Sequence, residues 1–266
     1  MINFRDLFHE PEVLNIDVNS TSLLKIHSKI LKRKKLLQSA FKTFYQDLTS
    51  VADKNFVKNG LEIELGSGVG FLKNFKKNII SSDIRKGIKY DLTLDATKLR
   101  LKNNSVRCFY AINVFHHISY PDKFFNELKR VLVKGGGCIL IEPHNGFLSK
   151  LLHKNMHKNE YYDPNASNWN ANSKVKGPLS DANQALAYIV FERDIKIFRK
   201  KHGPNLEIIH KQYELNGLRY LLSGGLNFRQ CIPSFFLIFI RILEFLLYPF
   251  AKFWTQYQMI VIKKIK

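Results

Sequence analysis

The segment from Leu61 to Phe71, LEIELGSGVGF, constrains the fold more than any other part of the chain. An apolar run with an acidic residue, Glu64, near its end opens into Gly66, Gly68 and Gly70. It reads as a buried strand followed by a turn that presents bare backbone to a nucleotide-like ligand. A dinucleotide fold spaces its glycines as G-x-G-x-x-G and aims a helix N-terminus at pyrophosphate. Here the place of the last of those glycines is taken by bulky Phe71. That favours a ligand without pyrophosphate.

The following block alternates short apolar runs with helical patterns: Leu61 to Leu65, Asn78 to Asp83, Leu92 to Leu94, Val106 to Asn113 and Cys138 to Glu142. Strands separated by helices predict an α/β fold with right-handed crossovers, a mostly parallel sheet and helices on both faces. Ligands of such sheets sit beyond the carboxyl ends of the strands. Glu64, the glycine loop, Asp83, Asp95 and Asn113 all fall there, so one site should collect them.

These residues resemble the class I S-adenosylmethionine-dependent methyltransferases of the domain type 11 kind, whose first motif reads acidic-x-G-x-G-x-G. The resemblance continues through Asp83 in IISSDI, Asp95 in LTLDATKLRL, FYAINVFHHI from Phe109 to Ile118, and FFNELKRVLVKGGGCILIEP from Phe124 to Pro143. Five segments in family order over roughly 80 residues are specific where the glycines alone are weak. The resemblance implies a Rossmann-like seven-stranded sheet and S-adenosylmethionine as cofactor, with no metal. It implies that Gly66, Ser67, Gly68 and Gly70 approach the methionine and ribose part, and that Asp83 accepts the ribose hydroxyls. By the same resemblance Asp95 and Ala96 meet the adenine, Glu64 lies near the sulfonium or amino end, and Asn113 completes the set. The plain structural alternative for Asp95 is a turn or helix cap.

Two positions depart from the family pattern: Arg107 stands where an acidic residue is usual, and Lys134 where a proline commonly precedes the glycines. INVFHHI replaces an N/D-P-P-[YF] signature, which disfavours a nucleobase or amide nitrogen as acceptor. A hydroxyl acceptor benefits from a base, and histidine suits that role with an ordinary pKa of roughly 6.5. His117, after the fourth strand, is the first candidate, with its neighbour His116 and with His144, after the fifth, as rivals. Two adjacent histidines leaving a strand should point apart, one lining the pocket and the other packing.

Charge sets the chain apart, with 42 Lys+Arg against 22 Asp+Glu and a formal net charge of +20. Nucleic acid or an anionic membrane face is the usual partner of such a potential, and lysines that merely solubilise are the bland alternative. From Ser20 to about Leu48 a basic amphipathic helix or helix pair is predicted, packing over a sheet edge with its lysines toward water or a membrane. Cys108, Cys138 and Cys231 lack metal-ligand spacing and read as core thiols of a reducing compartment. The opening MINFRDLFHEPEVLNIDVN has no apolar signal region, which predicts a cytoplasmic protein, with the inner face of the membrane as a peripheral site.

Residues 1–58 are expected to form the N-terminal helical segment, 59–143 and 205–266 the core, and 144–204 a substrate lid. The lid comprises a polar, irregular stretch from Pro143 to Leu179 and a helix from about Ser180 to Lys200, capped by Ser180 or Asp181. Strand patterns recur at Leu206 to Tyr213 and Gln258 to Ile265, separated by an apolar insertion at 215–255, far longer than a hairpin loop. Between Pro233 and Pro249 a helix of about 15 residues, roughly 22 Å, falls short of the roughly 30 Å of a bilayer core. Arg241, Glu244, Tyr248 and Lys252 should form a polar stripe on it. Burial in the domain, pairing in a dimer and a membrane interface beside Trp254 and Tyr257 remain open.

The leading expectation is a methyltransferase acting on a small, glycan or lipid-linked hydroxyl. GPLSDANQALAYIVFERD, RYLLSGGL and LEFLLYPFAKF are similar to methyltransferases found among bacterial surface-polysaccharide genes. A quinone or lipid methyltransferase, an RNA methyltransferase and a non-catalytic membrane-associated scaffold are the alternatives.

Overall fold

The apolar runs become seven strands of one sheet in the computed structural model of the chain, which describes residues 8–14, 16–17, 20–69, 71–85, 90–155, 161–170 and 183–266. β1 (Leu61–Leu65), β2 (Ile80–Asp83), β3 (Leu92–Thr93), β4 (Val106–Ile112) and β5 (Leu132–Pro143) are parallel. β6 (Leu206–Tyr213) and β7 (Tyr257–Lys264) pair antiparallel, with β7 also antiparallel to β5. The order β3-β2-β1-β4-β5-β7-β6 reverses direction at β1. The chain leaves β1 toward β2 on one side and reaches β4 on the other, which opens a crevice above their carboxyl ends.

Strand β5 begins at Leu132 rather than Cys138, because the glycines of KGGG run as part of the strand. They admit close neighbours: a Cβ on Gly137 would lie 2.3 Å from the Ile262 carbonyl and 2.3 Å from the Phe56 ring. Arg107 is equally structural. Buried in β4, it donates to the Val57 carbonyl at 2.7 Å and pairs with Asp53 at 3.2 Å and with Glu62, fastening the preceding helix to the sheet.

The basic N-terminal segment is a helix pair, α1 (Thr21–Arg33) and α2 (Lys35–Asn55). Ser20 caps α1 by accepting from the Ser22 N–H at 3.0 Å. Lysines facing water describe most of the pair but not Lys34 at the break, which is 4% exposed and pairs with Glu10 at 2.8 Å. Phe44, Leu48 and Ala52 of α2 cover one sheet face with Ile139, Ile141 and Val261. After the short α3 (Phe71–Phe75), α4 (Pro121–Val131) covers the other face, packing Phe124, Phe125 and Leu128 with Phe191 and Phe198.

The polar stretch after β5 is less irregular than expected, since it contains α5 (Phe147–Asn155). Its Phe147/Leu151 and Leu148/Leu152 spacings are helical. Trp169, 7% exposed, anchors the next described part through its Nε1–H to Asp194 at 2.9 Å. Then come α6 (Leu186–Tyr188), a π-turn over Ile189–Arg193, and α7 (Ile195–Lys201). Ser180 and Asp181, the expected caps, lie outside the described residues.

Between β6 and β7 stand α8 (Gly217–Leu222), α9 (Leu237–Leu246) and α10 (Ala251–Trp254). The polar stripe expected on α9 splits. Glu244 is 2% exposed and accepts from the Arg219 backbone N–H at 2.8 Å and Nε at 2.6 Å, whereas Arg241 is exposed. Glu244 thus fastens α9 to α8, and the outer face of α9 keeps Ile238, Phe239, Ile242, Phe245 and Leu246 exposed. No single described helix is long and apolar enough to cross a membrane; one pair, Ser234–Leu246 and Tyr248–Trp254, passes on length and composition but is bent by 61°. Cys108 and Cys138 are buried core thiols, but Cys231 is exposed on this connection and is not one.

Candidate active site

The turn after β1 is shaped by backbone rather than side chains. Gly66 and Gly68 have φ of +60° and +52°, a region that favours glycine. A Cβ on Gly66 would lie 2.5 Å from a Val114 methyl, so only glycine lets this loop approach the end of β4. The loop is tied to β2 through Ser67, whose N–H donates to the Ser82 carbonyl at 2.7 Å and whose Oγ accepts from the Ser82 N–H at 3.0 Å. Gly70, the third glycine, lies outside the described residues.

Above this loop a cavity of about 290 Å³ is lined by Gly66, Asp83, Arg85, Asp95, Ala96, Asn113, Val114 and His117, among others. Elements distant in sequence therefore converge at the strand ends. Asp83, 3% exposed, ends β2 and accepts from the Gly68 N–H at 3.2 Å and from the Arg85 N–H, Nε and Nη2 at 3.0 Å each. Those four donors fill the acceptor capacity of its carboxylate. Asp95 takes the turn geometry weighed as its alternative, accepting from the Thr97 N–H at 2.8 Å and Oγ1 at 2.7 Å. The same turn places Ala96 on the cavity wall.

Glu64, Ser67 and Gly68 are not part of that lining. Glu64 is buried, its Oε2 has no hydrogen-bond partner, and desolvation, reinforced by the Asp83 charge, pushes its pKa up to about 8. A buried carboxyl with one unpartnered oxygen beside a glycine cradle fits a cofactor with a cationic end and a flat polar body.

A second cavity of about 270 Å³ adjoins the first, sharing Asn113 and His117 and adding His116, Gln184, Tyr220, Asn227 and Tyr257. Asn113 sits at the junction with φ of +57°, its Nδ2 donating to the Tyr257 hydroxyl at 3.4 Å. His116 and His117 do not leave β4 as a strand. They close a 3₁₀ turn, Phe115–His117, and their rings stand 4.2 Å apart. The turn is built by Glu142 at the end of β5, fully buried, which accepts from the backbone N–H of Val114 at 2.9 Å, Phe115 at 2.7 Å and His116 at 3.3 Å. The same carboxylate lies 2.6 Å from His116 Nδ1. An acceptor so placed assigns the proton to Nδ1 and leaves Nε2 as the basic nitrogen. His144 stands apart from both cavities, its Nε2 at 3.0 Å from the Lys252 carbonyl, and burial lowers its pKa. Among the described residues no group of three or more His, Cys, Asp or Glu could hold a metal ion.

Glu142, Arg85 and Tyr220 were not singled out from the sequence, and Tyr257 only as an aromatic for a membrane interface. For Glu142 a signal existed, an acidic residue closing the strand beside the histidines; Tyr220 carries none, because the long connection brings it in, and Tyr257 reaches the site as the first residue of β7, opposite Pro143 of β5.

A switch-point crevice, a glycine loop without a pyrophosphate helix and acidic residues at successive strand ends define a nucleoside-cofactor α/β enzyme. Residues 64–140 match the family model described as a methyltransferase domain. Among solved structures the chain is similar to an S-adenosylmethionine-dependent methyltransferase, possible histamine N-methyltransferase, of Thermotoga maritima, at 14% identity over 92% of this chain and 100% of that one, with a TM-score of 0.50. It is also similar to a geranyl diphosphate C-methyltransferase of Streptomyces coelicolor A3(2), at 11% identity over 93% and 86% of the two chains and a TM-score of 0.46. A phosphoethanolamine N-methyltransferase 2 of Haemonchus contortus matches at 13% identity over 100% of this chain and 61% of that one, with a TM-score of 0.47. No curated protein matches in sequence. The chain thus carries a methyltransferase domain at residues 64–140, and its fold is similar to that of the Thermotoga maritima protein over the whole length of that chain.

Proposed function

We propose that the first cavity holds the methyl donor, the second holds a hydroxyl-bearing acceptor, and methyl transfer occurs where Asn113 and His117 join them. The junction of two cavities, the second lined by His116 whose ring Glu142 holds from behind, carries this reading. When bound, S-adenosylmethionine supplies an activated methyl on a sulfonium that leaves as a neutral thioether. The Gly66 turn lets backbone approach it, Glu64 lies behind that turn toward its cationic end, Asp95 and Ala96 edge the base, and Asp83 takes the ribose hydroxyls in exchange for the Arg85 guanidinium. His116 accepts the acceptor's hydroxyl proton at Nε2 while Glu142 holds the ring through Nδ1. His117 and Asn113 position the reacting pair and exclude water.

The acceptor is read as a small, glycan or lipid-linked molecule, in keeping with the resemblance to surface-polysaccharide methyltransferases. The enzyme is read as cytoplasmic and peripheral on an anionic membrane face. The exposed apolar face of α9, the neighbouring Arg241 and Lys252 and the formal charge of +20 support that placement. Residues 59–143 and 205–266 then form the catalytic core, with 144–204 over the acceptor.

A labelled-methyl transfer assay on lipid, glycan and RNA fractions of source cells tests the reading. Label in the lipid or glycan fraction is expected; label confined to RNA would contradict it.

A further inference from the structure

A third cavity, of about 300 Å³, lies beyond the acceptor cavity against the long β6–β7 connection. Phe8, Leu221, Leu222, Leu226 and Phe228 wall it. It shares Leu152, Tyr220, Leu226, Asn227 and Gln256 with the acceptor cavity, so the two are contiguous. The donor, acceptor and apolar cavities therefore form one series, with polar chemistry in the middle and hydrocarbon at the far end.

This apolar wall is held in place by polar groups behind it. Gly224 and Gly225, at φ of +71° and +56°, turn the chain after α8, and a Cβ on Gly224 would lie 2.3 Å from the Phe228 carbonyl. Lys34, buried at the break between α1 and α2, donates to the Gly225 carbonyl at 3.0 Å and to the Phe228 carbonyl. His27 Nε2 lies 3.0 Å from Asn227 Oδ1, and the Glu10 N–H donates to the Asn227 carbonyl at 2.9 Å. Burying an ammonium costs desolvation, which lowers the Lys34 pKa and against which its Glu10 pairing and two carbonyl acceptors act. The N-terminal helix pair thus fixes a loop that lines this cavity.

The far end approaches the apolar exterior. Cys231, an exposed residue of the lining, precedes the Phe235 to Phe253 run of exposed aromatics, and the Arg219–Glu244 pair fastens α9 to α8, whose Leu221 and Leu222 form the wall. Resting on the reading of the second cavity as the acceptor site, we propose that the third cavity is a subsite for the apolar chain of an amphiphilic acceptor. Its headgroup lies beside His116 and its alkyl or prenyl chain lies between α8 and the Gly224–Cys231 loop.

Alkylation of Cys231 by N-ethylmaleimide reports occupancy, since Cys108 and Cys138 are fully buried. The probes are n-alkyl glucosides from hexyl to decyl, kept below their micelle concentrations. Protection of Cys231 is expected, with the half-protecting concentration falling about fourfold per added methylene until the cavity is full. Leu222→Trp, which fills the cavity, should abolish protection while S-adenosylmethionine affinity shows that the variant is folded. Phe239→Ser with Phe245→Ser, on the outer face of α9, should leave the chain-length dependence intact. No dependence on chain length, or unchanged protection in Leu222→Trp, would overturn the subsite. So would loss of the dependence in the α9 variant, which would place the chains on the outside. Protection needs neither donor nor turnover, so it fails separately from the acceptor reading: label in the lipid fraction without protection refutes the subsite alone.

Discussion

The strand-end site and the β6–β7 connection satisfy their surroundings in opposite ways. At the strand ends, two carboxylates are buried and saturated, Asp83 by four donors and Glu142 by three backbone N–H groups and His116, while the buried Glu64 keeps its Oε2 without a hydrogen-bond partner. Along α9 the polar group turns inward and the hydrocarbon turns out, Phe239 and Phe245 remaining 65% and 73% exposed. The first region is preorganised for a small polar ligand, and the second lacks the cover that such a face calls for.

The largest effect that separates them is expected at His116. His116→Gln should lower kcat about a hundredfold while leaving donor affinity in place, the usual scale for a lost general base. An unchanged kcat, read as label incorporated per minute at saturating donor, would reduce the pair to a turn brace. On the other side, Phe239→Ser with Phe245→Ser should lower the fraction sedimenting with anionic liposomes at least tenfold without moving the donor Kd. If both change together, the two regions are not independent.

Gly66→Ala tests how tightly the donor loop is built. The 2.5 Å contact with Val114 and the positive φ predict about 1–3 kcal/mol of lost stability, measured by denaturant unfolding. A smaller, pH-dependent effect belongs to Glu64. Its folded pKa of about 8 lies above the ordinary 4.5, so the folded state keeps a proton that the unfolded state has released. That stabilisation is full below pH 4.5 and disappears as pH rises through 8, with a slope of about 1.4 kcal/mol per unit between them. Glu64→Gln should flatten unfolding stability against pH over that window; an unaltered profile would show Glu64 already ionised.

Local signals made the core legible. The run ending at Leu65, the glycines, Asp83 and Asp95 follow one another closely, and each lies where a strand ends, so order in sequence becomes proximity in space. The acceptor side resisted because its walls come from remote segments: Tyr220 and Gln256 meet His116 only through the fold, and no spacing rule links them. Burial of Glu244 and Lys34 was equally hidden, because each depends on one distant partner, Arg219 and Glu10, and periodicity counts both as surface charges. The 3₁₀ turn of the two histidines was missed for a related reason. Glu142, on the next strand, rather than local propensity, bends the chain there.

Calorimetric titration with S-adenosylmethionine, comparing wild type, Asp83→Ala and Arg85→Ala, tests the donor site most directly. Wild type should bind one equivalent, Asp83→Ala should lose at least a hundredfold in affinity as two charge-assisted hydrogen bonds disappear, and Arg85→Ala should bind as tightly as wild type or several-fold tighter. Equal affinity in wild type and Asp83→Ala would contradict the placement of the donor at the end of β2.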